Sequence, residues 1–141
     1  MKRRRRTEIL IKGSPTLAEV MAATILENYE VKVIQESEHG LVMMKVRETS
    51  QKSLFYPGEV LVTECKVQVE GKVGIGIVTG DKPELARHLA IIDAAYQANV
   101  PETMKWDALL ANEEQAIADV KATERKSILK TKVNFETMDI S

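Results

Sequence analysis

VLVTECKVQVEGKVGIGIVTG, residues 60–80, alternates apolar and polar side chains along two runs that Gly71 separates. Alternation with a period of two predicts two β-strands. Gly71 suits the turn between them, because glycine accepts the positive φ that a tight hairpin requires. One face of the first strand is charged and should meet water or a partner, whereas the other should face the core. The residues of this predicted core face are Leu61, Thr63, Cys65, Val67 and Val69.

Two glycines on the second strand, Gly74 and Gly76, share one face and leave a strip without side chains. Such a strip admits close approach by a helix, another backbone or a ligand. The glycines lie within a strand and read G-x-G-x-x-x-G, which is not the dinucleotide-binding pattern. We predict close packing by protein and take both glycines as candidate partner contacts. Gly80 and Asp81, at the start of the next helix, are candidate anion-binding residues.

Upstream, residues 29–37 and 40–48 also alternate, and Glu38-His39-Gly40 between them has the composition of a turn. This pattern predicts two further strands and hence a four-stranded, mainly antiparallel sheet of consecutive hairpins. His39 would then lie at a turn tip beside Glu38. Both are candidate ligand-binding residues, and the alternative interpretation is an ordinary turn.

Helical spacing of apolar residues predicts a helix from Pro15 to about Glu27, preceded by a short helix over 8–12. A third helix should begin at Pro83, with Asp81 or its neighbour as its cap. A long charged helix is predicted over 105–130. The fold class is therefore α+β.

The C-terminal residues 131–141 return to an alternating pattern and are predicted to form an extended tail. Exposed apolar residues at a chain end imply a partner that buries them, for example by strand addition. We therefore predict that the tail docks a partner. The candidate contacts are Val133, Phe135 and Met138.

Composition is that of a globular protein, with 141 residues of which 44% are hydrophobic and 29% charged. One domain spanning 1–141 accounts for this length. Since no apolar run resembles a signal peptide or a membrane span, the expected location is the cytoplasm. The single cysteine, Cys65, excludes an internal disulfide and is expected to be a small core residue.

Charge is unevenly distributed although the formal net charge is −1. Residues 1–12 hold six basic side chains and one acidic one, net +5, so the rest of the chain carries −6. The basic arm, residues 1–7, is interpreted as a solvated, frayed terminus. The alternative is a freestanding nucleic-acid-binding module that uses Arg3 to Arg6.

Acid and base side chains are scattered, and no motif for phosphate cradling, metal ligation or nucleophilic catalysis is evident. We predict no cofactor and no catalytic site within the chain alone. A third hypothesis is a small freestanding enzyme that uses Glu38, His39 or Asp93. Glu59 is a further plausible acid, whereas His88 is expected to be a packed or surface residue.

Four runs of sequence, in this order and spacing, resemble the PhnG family. They are YEVKVIQESEHGLVMMKVR at 29–47, FYPGEVLVTECKVQVEGKVGIGIVTG at 55–80, HLAIIDAA at 88–95 and VNFETM at 133–138. The likeness extends from about Glu8 to Met138. None of the runs is a general catalytic motif, so the specificity of the likeness comes from their joint order.

The resemblance implies a subunit of the carbon–phosphorus lyase core complex, the alpha-D-ribose 1-methylphosphonate 5-triphosphate synthase. That assembly transfers an alkylphosphonate to C1 of the ribose triphosphate of ATP and releases adenine. The expected partners are PhnI-type, PhnJ-type, PhnH-type and PhnL-type subunits, with ATP and alkylphosphonate as substrates of the whole assembly. The resemblance assigns no catalytic residue to this chain, and neither a membrane nor a nucleic acid is an expected partner.

Overall fold

The computed structural model describes the backbone of residues 1–47 and 55–140, and the side chains of residues 1–43 and 58–126. Within that part of the chain the fold is α+β, with four helices and three strands. Their bounds are α1 (Arg3–Lys12), α2 (Pro15–Asn28), β1 (Val31–Arg47), β2 (Phe55–Val69), β3 (Lys72–Thr79), α3 (Pro83–Ala98) and α4 (Glu102–Ile140). Over the residues described, none of these helices combines the length and the apolar composition needed to cross a membrane.

The strands form one antiparallel sheet in the order β1-β2-β3. A two-residue turn joins β2 to β3, and its residues Glu70 and Gly71 both have positive φ, 49° and 77°. Val69 pairs with Lys72 across this turn. The hairpin predicted from residues 60–80 is therefore confirmed.

β1 continues unbroken through residues 38–40, where a turn was predicted. Gly40 pairs with Val62 in the ladder instead of reversing the chain. The pairing register shifts on both sides of Gln35. Bulges of this kind add residues to one strand and change the face that later side chains take, so the alternation loses its phase although the strand continues. The prediction of four strands is wrong, since the described residues form three.

The sheet is not equally wide along its length. β3 accompanies β2 only from Val62 to Val69, while β1 and β2 stay paired over seven further residue pairs, Leu41–Arg47 with Phe55–Leu61. We call these two segments the distal ribbon. Leu61 was predicted to face the core, but it is exposed because it lies in this ribbon, beyond the end of β3.

α3 packs against the inner face of the sheet at the glycine strip. A Cβ added at Gly74 would lie 2.1 Å from the backbone N of Ala94, and one at Gly76 would lie 2.0 Å from the carbonyl O of Ala86. The glycines therefore permit α3 to approach the sheet directly. The predicted close packing is confirmed, and α3 of the same chain makes it. Contact of these glycines with a partner stays a prediction.

The remaining predicted core face of β2 is buried, including Cys65, whose Sγ lies 3.3 Å from the carbonyl O of Gln35. α1 and α2 pack on α3, and α1 also contacts α4. α3 thus lies between the sheet and the other helices. The large apolar side chains that these outer helices bury are Ile9, Leu10, Met21, Ile25, Trp106 and Leu110.

α4 continues to Ile140, so the prediction of an extended tail over 131–141 is wrong as far as the described residues reach. Alternation of apolar and polar residues over a few positions is weak evidence for a strand. Extending an existing helix avoids a new nucleation step, which favours helix at this position. The residues from 118 to 126 are all exposed, although Val120, Lys121 and Glu124 still line clefts beside the end of α1.

Candidate functional site

His39 and Asp81, two of the predicted ligand-binding residues, lie side by side although 42 positions separate them in the chain. Nε2 of His39 is 2.6 Å from Oδ1 of Asp81, and the side chains are 53% and 65% exposed. The pairing of the strands explains why His39 and Asp81 lie together. His39 pairs with Thr63, whose other neighbour is Val78 near the end of β3, so the β3–α3 connection passes beside His39.

Thr63, which is fully buried, fixes the loop that carries Asp81. Thr63 Oγ1 donates to the carbonyl O of Gly80 at 2.5 Å and accepts from the backbone N–H of Lys82 at 3.0 Å. The Gly80 N–H donates to the carbonyl O of Leu61, and Gly80 has a φ of 90°. One buried hydroxyl thus holds both sides of Asp81.

Of the two predicted caps, Asp81 or its neighbour, it is the neighbour that occupies the cap position of α3. The residue at the helix start is Lys82, which makes no side-chain capping bond, while the Asp81 carboxylate is used by His39. With Nε2 protonated, the imidazole donates to the carboxylate and leaves Nδ1 as its second polar atom. An exposed imidazole held in this way can exchange a proton with a bound group or pair with an anion.

Glu38, the fourth predicted ligand-binding residue, stays apart from this pair. Successive residues of a strand point to opposite faces, and Glu38 instead accepts a hydrogen bond from Nε2 of Gln35 at 3.3 Å. Glu59 is exposed and pairs with Met43 in the distal ribbon. Among the described side chains, no three His, Cys, Asp or Glu residues come together to hold a metal ion.

A cleft of about 450 Å³ lies between the α1–α2 turn and the start of α3. Its walls include the apolar side chains of Leu10 and Leu85, and its polar groups include Glu19, Lys82 and the half-buried His88. The volume is in the range of small-molecule sites. Since Lys82 follows Asp81, the cleft and the His39–Asp81 pair share the β3–α3 loop.

The N-terminal arginines do not form a frayed arm. They belong to α1 and pair with acids elsewhere in the chain. Arg3 donates twice to Asp93, both at 2.9 Å, and Arg5 donates twice to Glu114, at 2.9 and 2.6 Å. The interpretation of residues 1–7 as a solvated terminus is therefore wrong.

Arg6 is 6% exposed and lies among residues that sequence reasoning did not bring together. Its Cζ is 3.9 Å from the centre of the Tyr96 ring, and one NH2 nitrogen is 3.7 Å from Asp93. Within the described residues, Nε of Arg6 has no hydrogen-bond partner. Burial lowers the pKa of Arg6, while the charge of Asp93 partly offsets this effect. A cation–π contact and an ion pair together compensate the buried cation.

Asp93 joins this cluster to the sheet. Its Oδ2 accepts a hydrogen bond from the backbone N–H of Ile75 at 2.9 Å, in addition to the bonds from Arg3. The carboxylate is buried and contacts Arg3, Arg6 and the Ile75 N–H. This arrangement is structural and is not that of a catalytic acid open to substrate. Three of the four consecutive arginines are thus paired with acids of the same chain, which disfavours the nucleic-acid hypothesis.

The side chains of the predicted tail contacts, Val133, Phe135 and Met138, lie outside the described residues. Their backbone belongs to α4. Strand addition by this segment is not supported, because it is helical. Partner contact at these three positions stays a prediction.

Two comparisons bear on the whole chain. The family model described as "Phosphonate metabolism protein PhnG" matches residues 1–139. No curated protein matches the chain. The family match covers α1 and nearly all of α4.

Proposed function

We propose that this chain, which belongs to the PhnG family of phosphonate metabolism proteins and is thus a subunit of the carbon–phosphorus lyase complex, supports the step that activates the phosphonate. In this step the assembly transfers an alkylphosphonate to C1 of the ribose triphosphate of ATP and releases adenine. The partners are PhnI-type, PhnH-type and PhnJ-type subunits. The family match over residues 1–139 carries the proposal.

The distribution of chemical groups supports a helping role over an independent one. Of the described acids and bases, His39 and Asp81 form an exposed pair, whereas Asp93 is buried in ion pairs. The pair has a proton to exchange but no described nucleophile beside it. The His39–Asp81 pair would contribute proton exchange to a site that another subunit completes.

The course of α4 supports assembly with other protein. A helix whose residues are exposed on all sides has no tertiary packing to stabilise it, and such packing supplies most helix stability in proteins. In α4, residues 118–126 are all exposed, and their contacts with the body are limited to clefts beside α1. We propose that α4 beyond Ile117 lies on a neighbouring subunit and that Val133, Phe135 and Met138 contribute to this contact.

Co-expression with the PhnI-type subunit tests the proposal. The two chains should co-purify as a stable complex, and deletion of residues 131–141 should weaken it. The matched control is replacement of Val20 by Ser on α2, because this exposed residue lies on another surface. A chain that stays alone beside each of the PhnI-type, PhnH-type and PhnJ-type subunits would contradict the proposal.

A further inference from the structure

The two edges of the described sheet are protected to different degrees. β1, at one edge, has register shifts on both sides of Gln35 and carries charged residues that include Lys32, Glu36 and Glu38. Bulges and charges are common protections against pairing with a further strand. β3, at the other edge, keeps a regular register with β2, and its one charged residue is Lys72, at its first position.

The outer face of β3 is also apolar. Val73, Ile75 and Ile77 are 45%, 38% and 48% exposed on this face. β-Branched residues favour strands, and an edge strand that presents them without charge is a template for pairing with another chain. β3 therefore needs a protection that its own sequence does not supply.

Asp93 of α3 supplies that protection at the middle of the strand. Its Oδ2 accepts a hydrogen bond from the backbone N–H of Ile75 at 2.9 Å, so this N–H points to the open edge and not to β2. In an antiparallel ladder, alternate residues point their N–H and C=O groups the same way, so Val73 and Ile77 share this direction. α3 reaches the edge because Gly74 has no side chain to hold it away.

We propose that Asp93 is a cap that closes the β3 edge against a second copy of this chain, and that Arg3 holds this cap in place. Arg3 donates twice to the carboxylate, both at 2.9 Å, and a nitrogen of Arg6 lies 3.7 Å from it. These cations fix the carboxylate in its orientation toward Ile75. The cap acts in the chain alone and does not depend on the proposed function.

A second copy fits an uncapped edge because this stretch of β3 is its own complement. Two identical antiparallel strands pair about a two-fold axis, so each contact occurs twice. With Ile75 at the axis, Val73 of one copy lies opposite Ile77 of the other, and apolar side chains meet apolar side chains. The outward N–H of Ile75 is then the central donor of the ladder. In the capped chain Asp93 already occupies this donor, so the pairing is blocked.

The oligomeric state of the purified full chain tests the cap, by sedimentation velocity over a series of concentrations. Asp93→Ala should strengthen self-association at least ~10-fold, the effect of one or two net hydrogen bonds becoming available. Arg3→Ala should act in the same direction but less, since it leaves Arg6 beside the carboxylate. The matched control is Arg5→Ala on the same helix, which breaks the exposed pair with Glu114 and should leave self-association unchanged.

A second substitution separates an opened edge from a general loss of stability. Ile75→Lys, added to Asp93→Ala, places a charge at the centre of the pairing and should restore the weak self-association of the unchanged chain, because lysine on an edge strand opposes pairing. A photoreactive amino acid at position 77 of the Asp93→Ala chain should cross-link to residue 73 of another copy.

Unchanged self-association of both Asp93→Ala and Arg3→Ala would overturn the inference. So would association of Asp93→Ala that Ile75→Lys does not suppress, or cross-links from position 77 to segments other than β3. Should Asp93→Ala fail to fold, the same comparison in Arg3→Ala decides. Co-purification with the PhnI-type subunit is a separate measurement, so the proposed function stands or falls independently of these results.

Discussion

Asp93 is the residue on which most polar contacts converge. It is buried on α3, and it holds α1 through Arg3 and Arg6 and the edge strand β3 through the N–H of Ile75. The Asp93 carboxylate offsets the desolvation of the buried Arg6, and the half-exposed Arg3 supplies a second cation to the carboxylate. Removing one member leaves charge without a partner in a dry environment.

Asp93→Ala should therefore lower the free energy of unfolding by about 3–5 kcal/mol, the usual result of breaking a buried ion pair from one side. Urea denaturation measures this loss. The control is Arg5→Ala, which breaks the exposed pair with Glu114 and should leave stability nearly unchanged. Equal effects of the two substitutions would show that Asp93 is not the centre of the cluster.

Gly76 gives the sharpest steric prediction. In Gly76→Ala the new Cβ would lie 2.0 Å from the carbonyl O of Ala86, so α3 must move away from the sheet. We expect destabilisation at the upper end of the ~1–3 kcal/mol typical of overpacking, or beyond it. In the control Gly40→Ala, the nearest atom is 3.9 Å away, on Val62. Thermal unfolding of both variants checks the prediction, and a Gly76→Ala protein as stable as Gly40→Ala contradicts it.

Tyr96 gives the protein a pH dependence on the alkaline side. Burial, and then the hydrogen bond that its OH donates to Asp107, raise the pKa of Tyr96 above its ordinary value of 10.0. The folded protein keeps the phenol proton where the unfolded chain releases it. The resulting stabilisation is complete below about pH 10 and decreases as the pH rises toward the folded pKa.

Denaturation at pH 8 and pH 11 should therefore show a smaller loss of stability in Tyr96→Phe than in the unchanged protein. The substitution removes the titrating group and keeps the ring under Arg6. Its effect on stability at pH 8 serves as the baseline. An identical loss between the two pH values in both proteins would refute the assignment.

At the scale of the element, the β3–α3 loop depends on a side chain from β2. Thr63 bonds to the backbone on both sides of Asp81, and so it sets the position of the His39 partner. Thr63→Val keeps the shape and removes the hydroxyl. We expect faster amide hydrogen exchange at residues 80–82 and a loss of about 1–3 kcal/mol for the buried groups left without a bond.

Thr63→Ser is the matched variant, because it retains the hydroxyl and loses a methyl group. It should preserve slow exchange at residues 80–82. If Thr63→Val and Thr63→Ser exchange equally, the hydroxyl is not what fixes the loop.

Three parts of the chain show where the local pattern was sufficient and where it was not. The β2–β3 hairpin was predictable, because its alternation is regular and Gly71 marks its turn. β1 was not, because bulges near Gln35 interrupt its alternation in the same way as a turn would. The C-terminal part of α4 was also mispredicted, since a short alternating run outweighed the helix that precedes it.

At the scale of the whole molecule, tertiary contacts bring together residues whose pairing could not be predicted from the sequence. His39 and Asp81 were each identified as candidates, but only the sheet register brings them together. Arg3 and Arg5 of α1 were visible, whereas their acids lie 90 and 109 positions away on α3 and α4. Charge pattern alone does not reveal such pairs. The glycine strip indicated close packing, but not which helix provides it.

The ion pairs around Asp93 are therefore buried inside the molecule, whereas apolar side chains of the distal ribbon are exposed. α1 is held on the body by the ion pairs of Arg3 and Arg6 with Asp93, while the distal ribbon and the C-terminal half of α4 extend from it. Membership in the PhnG family supplies the context for this arrangement. The central claim is that these two extensions are covered by other subunits of the complex.

Amide hydrogen exchange of the chain alone and within the assembled complex tests this claim most directly. Exchange should slow on assembly in residues 41–47, 55–61 and 118–140, while α3, already buried in the chain alone, should change little. Equal exchange of the ribbon and of α4 in the free and assembled states would contradict it.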